Sequence, residues 1–261
     1  MTTNLSPSIV TRLEKVATDN GFDRGLPPEI GWLSFASTQA PLGIWLTAVG
    51  ESQLCVAFSQ SNVARSLGAE SDEHSAGPLP TGTHGVCTVS NIPALHRLVR
   101  RAFQLSKALP DELLHVFEKK VASLPRATEA ERLVVQRVGQ EVFRSGLIDY
   151  WEGRCAITGL AVVPLLRASH IKPWAVCASD SERLDVFNGL LLAPNLDATF
   201  DCGLMTVADD GAIVLSEELK ADDCRILGLD TSLRVGRLDD AHRIYLAFHR
   251  ERVFRGKSAK S

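Results

Sequence analysis

The 261-residue sequence predicts an α+β protein of two domains, and three observations carry that expectation. The chain is too long for one average domain and too short for three. Its first half interleaves strand-like apolar runs with amphipathic helical stretches. Its second half places a strand, a polar loop, a second strand and a short helix in close succession between residues 165 and 203. The expected layout is an N-terminal α+β domain over 1–125 and a second domain with flanking helices over 126–261, joined at Pro125–Thr128.

Each element has a local reason. Residues 4–20 read as a helix whose face carries Ile9, Leu13 and Val16, with Ser8 as its cap. The stretch GFDRGLPPEIGWLSF is rich in Gly and Pro and reads as turns. In IWLTAVGESQLCVAFS, two apolar segments flank Gly50-Glu51-Ser52-Gln53, the pattern of a β-hairpin. SQSNVARSLG reads as a capped helix stopping at Gly68, and the polar stretch 69–84 as a loop. A strand at Val86–Val89 precedes a helix with Ile92, Leu95, Leu98, Val99 and Phe103 on one stripe. DELLHVFEKKVASL forms a further helix ending before Pro125. Thr128 followed by Glu131 has capping-box spacing and opens a long helix. Its Leu133, Val134, Val138, Val142, Leu147 and Ile148 suit packing on a small domain.

Composition limits the function classes. Apolar residues are 45% and charged residues 23%, a globular balance. No apolar run reaches the roughly 18 residues of a membrane span. The first residues lack the charged start and apolar stretch of a secretory signal, so the expected location is the cytoplasm. The six cysteines show no C-x-x-C spacing; they read as reduced thiols rather than zinc ligands, with Cys155 and Cys202 filling space near the site. Net charge is −3, and residues 126–261 carry 18 basic and 20 acidic residues, net −2. A nucleic-acid surface must therefore come from local clustering.

The chemistry concentrates in CAITGLAVVPLLRASHIKPWAVCASDSERLDVFNGLLLAPNLDATFDCGLMTV. His170 ends the first strand, Asn188-Gly189 leads into the second, and Asp197 and Asp201 lie one turn apart on the following helix, which Gly203 ends. Two carboxylates so placed repel unless a cation compensates, and hard oxygen ligands suit Mg²⁺ or Mn²⁺. A neutral histidine opposite them is able to take a proton from a water attacking a phosphodiester. An asparagine amide both donates and accepts, so Asn188 suits holding the imidazole.

In order, WEGRCAITG, ASHIKPW, FNGLLLAPNLD and FDCGL resemble the HNH endonuclease family with its ββα-metal fold, over roughly Gln140 to Val207. The resemblance implies that His170 is the general base and that Asn188 positions the base and the loop. It implies that Asp197 stands at the last His position as a metal ligand, that Asp201 is a further ligand, and that Ser169 sits at a ligand position before the base. Two departures stand out: Asp197 replaces a histidine, and Ser169 stands where Asp or His is usual. The first favours Mg²⁺ or Mn²⁺; the second leaves one strong ligand fewer.

Taken singly, these residues also have structural readings. His170 reads as a satisfied histidine, Asn188-Gly189 as a turn, and the two aspartates as solvated helix charges. Arg154, Arg167, Lys172 and Arg183 read as solvated charges one by one and as a phosphate-positioning rim together. Trp174 stacks on a base or packs under the loop. The basic tail AHRIYLAFHRERVFRGK is a surface helix with apolar Ile244, Leu246 and Phe248, or a DNA contact. His74 and His84, in a polar loop, make a poor metal pair, and His96 and His115 read as structural.

The expected function is a metal-dependent endonuclease acting on DNA, restriction-like or dependent on modified DNA, with the N-terminal domain as candidate target-recognition module. The alternatives are a catalytically weak DNA-binding or interaction module, or an RNase of the same fold. Cutting of both strands would imply a homodimer or two successive nicks.

Overall fold

A computed structural model describes residues 5–50, 53–69, 77–125 and 127–256. The chain divides into two compact units, Met1–Leu109 and Pro110–Ser261. That division falls earlier than the joint read at Pro125–Thr128. The helix after Pro110 packs on the long helix of the second unit, so it belongs there.

The first unit is a five-stranded antiparallel meander. Helix α1 (Pro7–Asp19) precedes β1 (Arg24–Glu29), β2 (Trp32–Ala36), β3 (Gly43–Val49) and β4 (Gln53–Phe58). Helix α2 (Ser61–Ser66), β5 (Val86–Val89) and α3 (Ile92–Ala108) complete it, and the sheet order is β1-β2-β3-β4-β5. Ser6, not Ser8, caps α1, because Pro7 takes the first helical position where its missing N–H costs nothing. The cap position of α2, Gln60, makes no side-chain cap bond.

The Gly/Pro-rich stretch forms the β1–β2 hairpin instead of turns alone. Pro27 and Pro28 are tolerated because β1 is an edge strand, and its register shifts between Leu26 and Glu29. Ile30 (φ 42°) and Gly31 (φ 86°) form the two-residue connection, which demands positive φ at both positions. The β3–β4 pairing reaches Val49↔Gln53 as the sequence predicts; Glu51 and Ser52 lie outside the described residues. One side of the sheet holds Trp32, Cys55, Ala57 and Val86, with Trp45 and Leu79 against them. Trp32 Nε1 donates to the Pro78 carbonyl at 3.1 Å, which ties part of the polar loop to this cluster.

The second unit opens with α4 (Pro110–Val121) and α5 (Glu129–Tyr150). The Thr128/Glu131 capping box forms as the spacing predicts, with Thr128 N–H donating to Glu131 at 2.8 Å and Glu131 N–H to Thr128 at 3.2 Å. The buried face of α5 differs from the expectation: Gly139, Val142, Phe143, Gly146, Leu147 and Tyr150 are buried, whereas Leu133 and Val134 are exposed. Only the C-terminal half of α5 therefore has a covered apolar face within this unit.

After α5 come β6 (Arg167–His170), α6 (Asp180–Leu184), β7 (Gly189–Leu192), α7 (Pro194–Asp201), β8 (Met205–Val207) and β9 (Ile213–Leu215). Helices α8 (Ala221–Leu227) and α9 (Asp240–Arg252) follow. β6 and β7 pair antiparallel with His170 opposite Gly189, and α7 packs on β6. This is the ββα arrangement read from residues 165–203. Gly189 is required by close approach: a Cβ there would lie 2.5 Å from Phe143 and 2.8 Å from Leu147.

Two substitutions test this account by urea unfolding. Ile30→Asn relieves a β-branched residue held at positive φ and is expected to raise stability by about 1 kcal/mol. Gly189→Ala forces the β6–β7 hairpin off α5 and is expected to lower it by about 2 kcal/mol.

Candidate active site

Strand β6 reads Arg-Ala-Ser-His, and alternation along a strand sends Ser169 and His170 to opposite sides. Ser169 meets α7 and His170 meets α5. The imidazole stacks on Phe143, with ring centroids 3.8 Å apart and planes at 18°, and Trp174 meets its edge at 5.4 Å. His170 Nε2 lies 2.9 Å from the Arg183 carbonyl oxygen. A carbonyl only accepts, so Nε2 carries the proton and Nδ1 keeps the lone pair. Burial holds the imidazole down to about pH 4 for protonation, so the ring is neutral at neutral pH.

The Arg183 carbonyl is held in place by its own loop. Asn188 is fully buried, and its Oδ1 accepts from Lys172 N–H at 2.7 Å. Its Nδ2 donates to the carbonyls of Lys172 and Glu182, both at 3.2 Å, and lies 3.4 Å from Cys177 Sγ. The Asn188 side-chain hydrogen bonds go to the loop and not to the imidazole; they close the loop whose Arg183 carbonyl meets the ring. Lys172 Nζ pairs with Glu182 at 2.6 Å, and the other Glu182 oxygen accepts from Ala178 N–H at 2.6 Å. Lys172 and the Ala178 bond hold the Glu182 carboxyl below its usual range, with the Lys172 hydrogen bond the largest cause.

Arg183 also ties the loop together. Its guanidinium donates to Asp180 at 2.9 Å, to the Cys177 carbonyl at 2.8 Å and to the Trp174 carbonyl at 3.3 Å. Lys172 and Arg183 are thus occupied within the loop, not arrayed as a phosphate rim. Arg154 and Arg167 are exposed, as a rim requires. Trp174 packs: a Cβ on Gly139 would lie 2.6 Å from its ring.

On the other side of β6, the buried Ser169 hydroxyl donates to Asp201 Oδ1 at 3.1 Å and also lowers the proton affinity of Asp197. Burial, and then the Asp201 charge, raise the Asp197 carboxyl; burial raises that of Asp201. Arg167 weakly offsets the charge at Asp197. Ser169, Asp197 and Asp201 therefore form one oxygen-lined cluster, and His170 lies on the opposite side of the strand. Among the described residues, no three His, Cys, Asp or Glu side chains converge as a ligand set.

Residues 155–208 match the family model described as HNH endonuclease. The chain carries an HNH segment. No curated protein was found to match the chain. Among the described residues, no helix is long and apolar enough to cross a membrane.

The HNH segment depends on residues that the sequence reading did not single out. Phe143 is the stacking partner of His170; its only sequence signal was its place on the α5 stripe. Arg144 donates to the carbonyls of Leu166 at 2.7 Å and Val163 at 3.1 Å, fixing the chain where it enters β6. Tyr245 on α9 donates to Asp185 at 2.8 Å, and Asp185 in turn accepts from Phe187 N–H at 2.8 Å. Burial raises the Asp185 carboxyl.

The tail helix is a structural brace. His242, Leu246 and His249 form its buried stripe, while Ile244 is 72% exposed. His249 stacks on Phe200 at 3.9 Å and bonds the Phe200 carbonyl at 3.2 Å and Thr206 at 2.9 Å. His242 sits among Tyr150, Trp151 and Phe187. Cys155 is buried and accepts from the N–H groups of Ala193 (3.3 Å) and Thr158 (3.5 Å), so it is a core thiol as expected. Cys202 is exposed, because it follows the last turn of α7 where the helix leaves the core. His74 lies outside the described residues.

Burial pushes His242 and His249 down to about 4 from an ordinary 6.5. The unfolded chain binds more protons between those values, so stability is full above about pH 6.5 and falls as pH drops towards 4. The raised carboxyls of Asp185, Asp197 and Asp201 act in the opposite sense as they protonate. Urea midpoints are expected to fall across that window, and His242→Phe, which fits the aromatic surround, is expected to flatten the fall.

Proposed function

We propose that the protein is a metal-dependent endonuclease hydrolysing DNA phosphodiester bonds, with His170 as the base that activates water. The observation that carries the reading is the state of His170 within the HNH segment: neutral, with Nε2–H fixed on the Arg183 carbonyl and Nδ1 left to accept a proton. Phe143 holds the ring plane, and Asn188 holds the loop that supplies the carbonyl. Asn188 is in this account a positioning residue.

The donor set suits a hard divalent ion. Two carboxylates raised by burial, Asp197 also by the Asp201 charge, stand beside a hydroxyl and offer only oxygen, which fits Mg²⁺ or Mn²⁺ completed by water. Asp197 and Asp201 would hold it, with Ser169 orienting Asp201. Such an ion, when bound, stabilises charge on the scissile phosphate and the leaving oxygen. Arg154 and Arg167, both exposed, would position the phosphodiester backbone. The N-terminal unit would select the target, including a modified one, and cutting both strands would need two visits or a homodimer.

A supercoiled-plasmid assay tests this, with modified and unmodified plasmid and with Mg²⁺, Mn²⁺ or EDTA. Nicking is expected only with metal, reduced about 100-fold or more in His170→Ala and lost in Asp197→Ala. Full nicking in EDTA, or an active His170→Ala protein, would overturn the assignment. Binding of DNA without cleavage under any condition would leave the HNH segment as a binding module.

A further inference from the structure

Helix α9 lies beyond the HNH segment, and one side of it reaches back to the loop that faces His170. Its buried stripe, His242, Leu246 and His249, holds it to the core. Tyr245 and Phe248 stand at i and i+3 beside that stripe, about 60° apart around the helix, so their side chains are neighbours. The Tyr245 hydroxyl donates to Asp185 Oδ2 at 2.8 Å. The Lys172 ammonium sits over the Phe248 ring, 5.4 Å from its centroid. Lys172 opens the loop and Asp185 ends it, so one helix face meets the loop at both ends.

Both contacts converge on the buried Asn188 amide. Asp185 accepts from Phe187 N–H through Oδ1 at 2.8 Å and from Asn188 N–H through its carbonyl at 2.9 Å, so it sets the turn that carries Asn188. Lys172 gives its N–H to Asn188 Oδ1, and its carbonyl accepts from Nδ2. Its ammonium pairs with Glu182, whose carbonyl also accepts from Asn188 Nδ2. Arg183, the next residue, places its carbonyl 2.9 Å from His170 Nε2. Burial, and then the Asp185 charge, keep the Tyr245 hydroxyl protonated, so it stays a donor. A helix held by its buried stripe alone would need neither a hydroxyl on a half-buried carboxylate nor a cation over a ring.

We propose that Tyr245 and Phe248 are positioning residues for His170: from α9 they pin the two ends of the loop, and the pinned loop keeps the Arg183 carbonyl on Nε2. They act through Asp185, Lys172 and Asn188. Loosening α9 at these two points frees the loop, and with it the Nε2–H, while the ring stays seated on Phe143. The consequence for cleavage rests on the reading of His170 as the base; the coupling of α9 to the loop does not.

The test reads the coupling first without turnover. Hydrogen exchange of the His170 Nε2–H and of the Lys172 amide is followed by NMR of the full chain in EDTA, the imidazole proton being assigned by its loss in His170→Gln. Plasmid nicking is measured separately with Mg²⁺. Tyr245→Phe removes only the hydroxyl and is expected to speed both exchanges about 10-fold. Phe248→Leu is expected to speed them about 3-fold, and Phe248→Tyr, which keeps a ring face, to retain the wild-type rates. Leu246→Val loosens α9 on its buried stripe instead. It is expected to lower the urea midpoint and leave both rates unchanged, because a loop exchanges by local opening. Unchanged exchange in Tyr245→Phe, or equal acceleration in Leu246→Val, overturns the proposal. With Mg²⁺, kcat is expected to fall about 10-fold in Tyr245→Phe with KM for plasmid unchanged; an unchanged kcat also overturns it. Nicking by wild type with unchanged exchange sinks the α9 clamp alone. Accelerated exchange with no nicking by wild type supports the clamp and sinks the nuclease reading.

Discussion

The buried amide of Asn188 is the constraint on which the HNH segment depends. It has no solvent to turn to, so each of its polar atoms must find a protein partner. It finds them in Lys172, Cys177 and Glu182, which are spread along the loop between the two strands. Those bonds fold the loop back on the start of β7. The same closure brings the Arg183 carbonyl to His170, and that carbonyl decides which imidazole nitrogen carries the proton. The Lys172–Glu182 pair and the Arg183 guanidinium reinforce the closed loop from its other side. One buried side chain thus couples the shape of a surface loop to the protonation state of a histidine.

The strand between them separates two chemistries. On one side, aromatic burial keeps His170 neutral. On the other, burial raises the carboxyls of Asp197 and Asp201, the Asp201 charge raises Asp197 further, and the Ser169 hydroxyl opposes the shift. The alternation of a β-strand makes this separation from two consecutive residues. Helix α5 is the platform for the hairpin: Phe143 stacks beneath His170, and Leu147 meets the backbone at Gly189. Helix α9 closes the far end through His249 on Phe200, the residue before Asp201.

In the HNH segment the cations beside the site are largely consumed by the loop, Lys172 and Arg183 by Glu182 and Asp180.

The elements with strong local signals were legible in the sequence. The capping box at Thr128 and Glu131, the β3–β4 pair, the strand at Val86–Val89 and the strand–loop–strand–helix order each follow from spacing between near neighbours. The β1–β2 hairpin was not legible, since two prolines argue against a strand unless its edge position is known. The exposure of Leu133 and Val134 was hidden for the same kind of reason: periodicity shows that a face is apolar, and only packing shows where the cover ends. Sequence order marked His170, Asn188, Asp197 and Asp201 as candidates, because they sit in a recognisable succession. Tertiary structure decided what each one meets. Asn188 was placed on the loop rather than on the ring, Lys172 and Arg183 became loop ties, and Phe143 became the seat of the imidazole. Those outcomes depend on which distant groups meet in space, and hydrogen-bond satisfaction and burial are properties of the folded chain that no local spacing encodes.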